Sequence, residues 1–374
     1  MKKITSVLVK PAGPDCNMAC TYCFYLKKAG LFPESKTHRM SEAVLEEMIR
    51  QVMTQAERQV SFGWQGGEPT LMGVDFFQKA AEFQKRYGWD QTVGNGLQTN
   101  GLLIDRYWAD FLSRDRFLVG LSLDGPKEMH DRYRVLRNGR GSWKKVTDAA
   151  KRLLDSGVEV NALSVINDFS VRFPGEIYEF HKSVGLNHMQ FIPCVEADPL
   201  NPRKLASFSV KAEDFGRFLT RIFDLWINDF YDGEPGTFIR FFDSVFYIYA
   251  GFQPPMCTLS EECGDYLVVE HNGDVYSCDF FVEPEWRLGN VLEDSLSTLL
   301  NGEKQKRFGS RKREWVRFCG DCPWLAYCRG GCPKDRLCLG NPETPPLCRS
   351  YQIFFEHAHG RLLEMAEAWK RARR

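Results

Sequence analysis

No apolar run in the 374-residue chain approaches the ~20 residues a membrane helix needs. The basic start, Met1–Lys10, lacks an adequate apolar core and a small-residue cleavage pattern, so it reads as a first strand and not as a secretory leader. A cytoplasmic setting with reduced thiols is the expectation. Charge of one sign is lacking too. Lys plus Arg count 49 and Asp plus Glu count 49, and this zero balance argues against a protein built to grip nucleic acid. Repeats and low-complexity stretches are absent. The 13 cysteines are few for a disulfide scaffold, which carries about 8–10%. Hydrophobic residues at 43% and 28 Phe exclude a disordered chain.

What is present is length for about two domains at ~150 residues each, and a repeating order of β-rich runs and amphipathic stretches. Strand signals fall at 6–10, 60–65, 95–99, 117–123, 158–165 and 188–192; helix signals fall at 41–58, 74–87, 105–112, 143–156 and 175–184. Six β–α units imply a parallel sheet, because each crossover buries its helix on the strands. That number predicts an α/β fold, a partial (β/α)6 TIM-type barrel, whose site lies at the C-terminal ends of the strands. Gly66–Pro69, Asn100–Gly101 and Ser122–Gly125 all fall there. A helix is expected over 212–229, a boundary at 231–236, and one hairpin around His271-Asn272-Gly273. The expected domains are 1–236, the barrel, and 237–374, a Cys-rich, loop-rich α+β domain.

Thiols carry the chemistry. Cys16, Cys20 and Cys23 stand close together after the first strand. Three thiolates hold three corners of a [4Fe–4S] cube and leave one iron open to a ligand. The competing reading is a zinc site completed by His38, or unconnected thiols. Toward the C-terminus stand Cys257, Cys263, Cys278, Cys319, Cys322, Cys328, Cys332, Cys338 and Cys348. Eight thiolates close two further [4Fe–4S] clusters; zinc takes the same ligands and stays open as an alternative.

The Cys16-x3-Cys20-x2-Cys23 spacing, with Tyr22 before the third Cys, resembles the radical S-adenosylmethionine superfamily. The resemblance implies that S-adenosylmethionine chelates the open iron and is cleaved to a 5′-deoxyadenosyl radical. It implies a cofactor pocket of Tyr22, Gly66, Gly67, Glu68, Ser122, Arg134 and Val195. Glu68 would accept from the cofactor ammonium, Arg134 would reach its carboxylate, and Val195 would pack on adenine. The later cysteines resemble the twin-cluster SPASM extension. That likeness implies one auxiliary cluster on Cys257, Cys263, Cys278 and Cys332 and another on Cys319, Cys322, Cys328 and Cys348. Cys194 and Cys338 are left over, with an exchange between Cys338 and Cys348 open.

Closer still, the segments 16–25, 64–71, 97–101, 117–126, 275–280 and 286–290 resemble the anaerobic sulfatase-maturating enzymes. The resemblance implies oxidation of one Cys or Ser of a nascent sulfatase, within a Cys/Ser-x-Pro-x-Arg-type motif, to Cα-formylglycine. A Cβ hydrogen would go to the radical, a proton to Asp279 as base, and an electron to an auxiliary cluster. It further implies three [4Fe–4S] clusters, an electron donor such as flavodoxin or ferredoxin, and a monomer without nucleic-acid or membrane partners. Tyr25, Gln65 and Gln98–Asn100 are pocket-lining candidates, with core packing or strand capping equally open. The alternatives are a twin-cluster maturase forming thioether or carbon–carbon crosslinks, and a non-catalytic zinc-binding interaction protein.

Overall fold

The computed structural model describes residues 1–316, 319–338 and 345–373. Ten strands organise it: β1 (Ile4–Lys10), β2 (Ala56–Trp64), β3 (Thr92–Thr99), β4 (Leu118–Ser122), β5 (Val160–Ile166), β6 (His188–Pro193), β7 (Phe238–Ile239), β8 (Leu267–Glu270), β9 (Asp274–Tyr276) and β10 (Arg287–Asn290). A helix follows each of the first six. This is the expected α/β alternation, with parallel pairing of β1 to β2, β2 to β3 and β3 to β4.

Local chemistry sets the elements. Ser41 caps the first long helix, Glu42–Gln55, by accepting from Val44 N at 3.3 Å, and Asp105 caps Arg106–Arg114 through Trp108 N at 2.9 Å. On the first helix Val44, Leu45, Met48, Ile49, Val52 and Met53 form the buried face. The helix expected over 41–58 stops at Gln55. Ala56 is extended and pairs with Ile4, so tertiary strand pairing overrides the helical pattern there.

The chain divides into two compact units. The first holds residues 1–123, 130–161 and 264–309; the second holds 124–129, 162–263 and 310–374. The expected break at residue 236 does not coincide with this division. The hairpin β8–β9 belongs to the first unit because β8 pairs in parallel with β1, Val7 opposite Leu267 and Lys10 opposite Glu270. The strands of the first unit run in the order β4–β3–β2–β1–β8–β9–β10.

The second unit carries β5 from residue 162, β6 and β7, with Phe238 opposite His188. Its core is aromatic. Phe242 on Arg240–Ala250 stacks on Phe354 of Cys348–Ala372 at 5.5 Å between centroids, and Phe223 of Ala212–Ile227 meets both edge-on at 5.4 and 5.7 Å. The helices Arg240–Ala250 and Glu303–Val316 were not expected. Scattered cysteines and turn residues made this region read as loop, yet Phe242, Val245 and Tyr249 are buried at helical spacing. No helix among the described residues is long and apolar enough to cross a membrane.

Candidate active site and cysteine groups

The loop after β1 is fixed from two sides. Ala19 N donates to Val135 O at 2.9 Å and Thr21 N to Tyr133 O at 3.0 Å, so it runs beside the segment carrying Arg134. The Arg134 guanidinium lies over the Tyr22 ring, 5.5 Å from its centroid. From the other side Gly67 N donates to Gly13 O at 2.8 Å and Glu68 N to Asp15 O at 2.7 Å. A Cβ on Gly67 would stand 1.9 Å from Asp15 O, and Gly66 holds φ +124°. Only glycine fits at 67, because the backbones themselves are in contact there. The Gly-Gly-Glu-Pro segment and the three-cysteine loop therefore form one structure.

Cys16, Cys20 and Cys23 are all half-buried. Burial pushes the Cys16 thiol up to about 12; the Met18 amide pulls the other way, and Glu68, Cys20 and Cys23 add to the rise. Asn100 Nδ2 lies 3.7 Å from Cys16 Sγ, a weak contact, and donates to Asn17 Oδ1 at 2.7 Å. Glu68 is 1% exposed and already well supplied with donors. Thr70 N, Thr70 Oγ1, Thr99 Oγ1 and Asn100 N approach its oxygens at 2.5–3.1 Å. A cofactor ammonium would join these donors. Ser122, 8% exposed, ends β4. His38 is not open to zinc: Nδ1 is 2.8 Å from Asp15 Oδ1 and Nε2 is 3.0 Å from Phe32 O.

The hairpin brings Asp279 to this loop. Phe24 meets Phe280 at 4.9 Å, and Tyr25, Phe32, Val268, Tyr276 and Val282 pack together with Cys23 against them. Asp279 is ion-paired with Lys10, whose side chain is 1% exposed at the end of β1. Lys10 Nζ also lies 3.4 Å from the Tyr25 ring centroid. The Tyr25 phenol donates to Glu270, which is fully buried. Burial, then Glu270, holds that phenol well above its usual range, so it stays protonated. Lys10 and Glu270 were missed by sequence reasoning. The available signal was two charged residues ending the apolar runs Val7–Val9 and Leu267–Val269, which the parallel register sets opposite each other.

In the second unit two thiol neighbourhoods appear. Burial pushes Cys328 up to about 11, the Gly330 amide opposes this, and Cys319, Cys322 and Cys348 add to the rise. These are the four cysteines expected together. Arg336, 1% exposed, donates to Gly330 O at 2.8 Å and lies 3.4 Å from Cys319 Sγ. Around Lys312 gather Cys263, Cys332, Cys257 and Cys328. Cys278 belongs to the first unit, where Tyr266 Oη is 3.5 Å from its sulfur. Val195 is fully buried, and its carbonyl accepts from Lys334, which also pairs with Glu196 at 2.6 Å. Cys194 is buried and Cys338 half-buried.

The Radical SAM superfamily model matches residues 11–184 and the SPASM iron-sulfur cluster-binding domain model matches 257–323. A serine-type anaerobic sulfatase-maturating enzyme of Bacteroides thetaiotaomicron is 40% identical over 370 residues, covering 94% of this chain and 88% of its own. The chain belongs to the anaerobic sulfatase-maturating enzymes. A cysteine-type maturating enzyme of Clostridium perfringens is 38% identical over 96% of this chain and 98% of its own. The solved structure described as native anSMEcpe with bound AdoMet and Cp18Cys peptide superposes with a TM-score of 0.88 at 36% identity, covering 97% of this chain and 99% of that one. Streptococcus suis SuiB with its precursor peptide, at 15% identity and TM-score 0.63, shares the fold alone.

Membership of these maturating enzymes brings S-adenosylmethionine and [4Fe–4S] clusters as cofactors. Among the described residues no three His, Cys, Asp or Glu side chains stand in single-ion geometry; the fit to clusters rests on donor chemistry. Lys312 is a buried ammonium that donates to two backbone carbonyls, and the titratable groups acting on it are thiols. Burial pulls its pKa down and the thiols pull it up. Such a cation needs an anion beside it, and a thiolate-bound cluster is one.

Proposed function

We propose that this chain oxidises one Cys or Ser of a sulfatase polypeptide to Cα-formylglycine, with Asp279 as the base. The reading is carried by Asp279, next in sequence to Cys278, held by the buried Lys10 beside the three-cysteine loop. When bound, S-adenosylmethionine and its cluster supply a 5′-deoxyadenosyl radical, and the auxiliary clusters supply an electron sink.

The chain's own residues do the rest. Cys16, Cys20 and Cys23 hold the first cluster. Tyr22, Gly66, Gly67, Glu68, Ser122 and Arg134 line the cofactor pocket, with Arg134 stacked on Tyr22 and Glu68 bracing the strand ends, and Val195 is assigned to adenine by resemblance. Lys10 holds the Asp279 carboxylate in place by an ion pair, and a carboxylate so oriented can take the substrate's thiol or hydroxyl proton. Tyr25 and Glu270, both buried, are hydrogen-bonded to each other, and the Tyr25 ring packs against Lys10. Cys257, Cys263 and Cys332 hold one auxiliary cluster, with Cys278 as the fourth thiolate by resemblance. Cys319, Cys322, Cys328 and Cys348 hold the other. The substrate carries a Cys/Ser-x-Pro-x-Arg-type motif, and a flavodoxin or ferredoxin supplies electrons in the cytoplasm to a monomeric enzyme.

Anaerobic incubation with S-adenosylmethionine, dithionite and a motif peptide tests the reading by mass spectrometry. A loss of ~18 Da from Cys or ~2 Da from Ser, with 5′-deoxyadenosine alongside, is the expected result from the atoms exchanged. Asp279→Asn is expected to keep cleaving the cofactor while aldehyde falls by ~10²–10⁴-fold. A crosslinked peptide without aldehyde would move the chain to the other twin-cluster maturases, and full activity in Asp279→Asn would remove the base.

A further inference from the structure

We propose that Lys312 is the built-in counter-charge of the cluster held by Cys257, Cys263 and Cys332, stabilising that cluster after it has taken the substrate's electron. The inference rests on the reading of these thiols as auxiliary iron–sulfur ligands.

Lys312 lies on the helix Glu303–Val316, whose other basic residues include the exposed Arg307 and Arg313. It alone is fully buried, at 1% exposure. Its Nζ donates to Cys257 O at 3.0 Å and Thr258 O at 2.8 Å, which pins the charge on the loop of the first of these cysteines. Among the described residues it has no carboxylate partner; the titratable groups acting on it are the thiols of Cys263, Cys332, Cys257 and Cys328. A buried ammonium without a counter-ion is unfavourable. Neutral thiols do not supply one. A cubane on four thiolates carries a net charge of 2− when oxidised and 3− after accepting one electron, while its core passes from 2+ to 1+. The electron comes from the deprotonated substrate radical of the maturation reaction. A fixed cation favours the more negative state, and cluster potentials follow local charge and hydrogen bonding. Lys312 therefore raises the potential of this cluster and favours electron transfer out of the substrate.

The test uses anaerobically purified holoenzyme, with redox titration of the cluster signals followed by electron paramagnetic resonance. In Lys312→Gln, the reduced-to-oxidised ratio of one of three signals should fall at least tenfold at fixed poise, ~59 mV for one electron. The other two signals should hold, and Lys312→Arg should keep the native value. Unchanged potentials in a fully iron-loaded Lys312→Gln overturn the inference and leave the cluster reading standing. Should Lys312→Gln and Lys312→Met both lose one cluster's iron while Lys312→Arg retains it, the need for charge is upheld; loss in Lys312→Arg as well overturns it. Zinc in place of iron in the native protein defeats the underlying reading instead.

Discussion

In the first unit a buried carboxylate, Glu68, acts on the Cys16 thiol, whereas in the second unit the buried cations Lys312 and Arg336 stand among the thiols. The groups acting on Cys16 include Glu68 and the neighbouring thiols, relieved by one backbone amide and a distant Asn100 contact. In the second unit Lys312 and Arg336, each 1% exposed, stand among the cysteines. Negative surroundings disfavour an added electron, and positive ones welcome it. On the function proposed above, the first surroundings suit a strongly reducing centre and the second suit centres that accept an electron.

The most damaging way to probe this contrast is to remove thiols from each side. Cys23→Ala should abolish 5′-deoxyadenosine formation while the second unit keeps its iron. Cys328→Ala should leave cofactor cleavage measurable and suppress repeated turnover. If both variants lose cleavage equally, the two sites do not divide the work as drawn. Next in size, Gly67→Ala drives a methyl into Asp15 O and should destabilise the first unit by about 3 kcal/mol. Thermal unfolding and S-adenosylmethionine affinity should both report it. A native-like Gly67→Ala would separate the Gly-Gly turn from the cysteine loop.

Smaller effects come from one buried histidine in each unit, and they have opposite signs. Burial lowers the His38 pKa, but Asp15 and the Phe32 carbonyl outweigh it, so the net shift is upward. His38 thus stabilises fully below its unfolded pKa and loses that contribution as pH rises through the raised folded value. Burial alone pulls His181 down to about 3 from 6.5. Its folded pKa lies below its unfolded one, so its neutral form favours folding above pH 6.5, and stability falls by about 1.4 kcal/mol per pH unit on descending toward 3. Unfolding of His38→Gln and His181→Gln across pH should show the first penalty shrinking with alkali and the second variant resisting acid better than the native chain. Parallel pH profiles would refute both assignments.

Much of this was legible from sequence because it is local. The helix signal at 74–87 matches Val74–Tyr87, since an uninterrupted amphipathic stretch follows the glycine break at 73. The cysteine spacings singled out the thiols, and Cys319, Cys322 and Cys348, expected with Cys328, are the thiols acting on it. What stayed hidden depends on long-range pairing. Nothing near Ala56 announces that Ile4 will end its helix. Nothing near Lys10 announces Asp279, because their meeting follows from the β1–β8 register. Nor does a basic helix such as Glu303–Val316 reveal that Lys312, of its described basic residues, is the one fully buried.

The pairing of β1 with β8 also bears on how the protein is made. The outer side of the first strand is completed by residues 267–270, so ribosomal synthesis leaves that edge bare until most of the polypeptide has emerged. An unpaired, largely apolar edge of this kind recruits other chains. A gene fragment ending near residue 236 should therefore aggregate where the full-length product stays dispersed, even though it encodes every strand from β1 to β6.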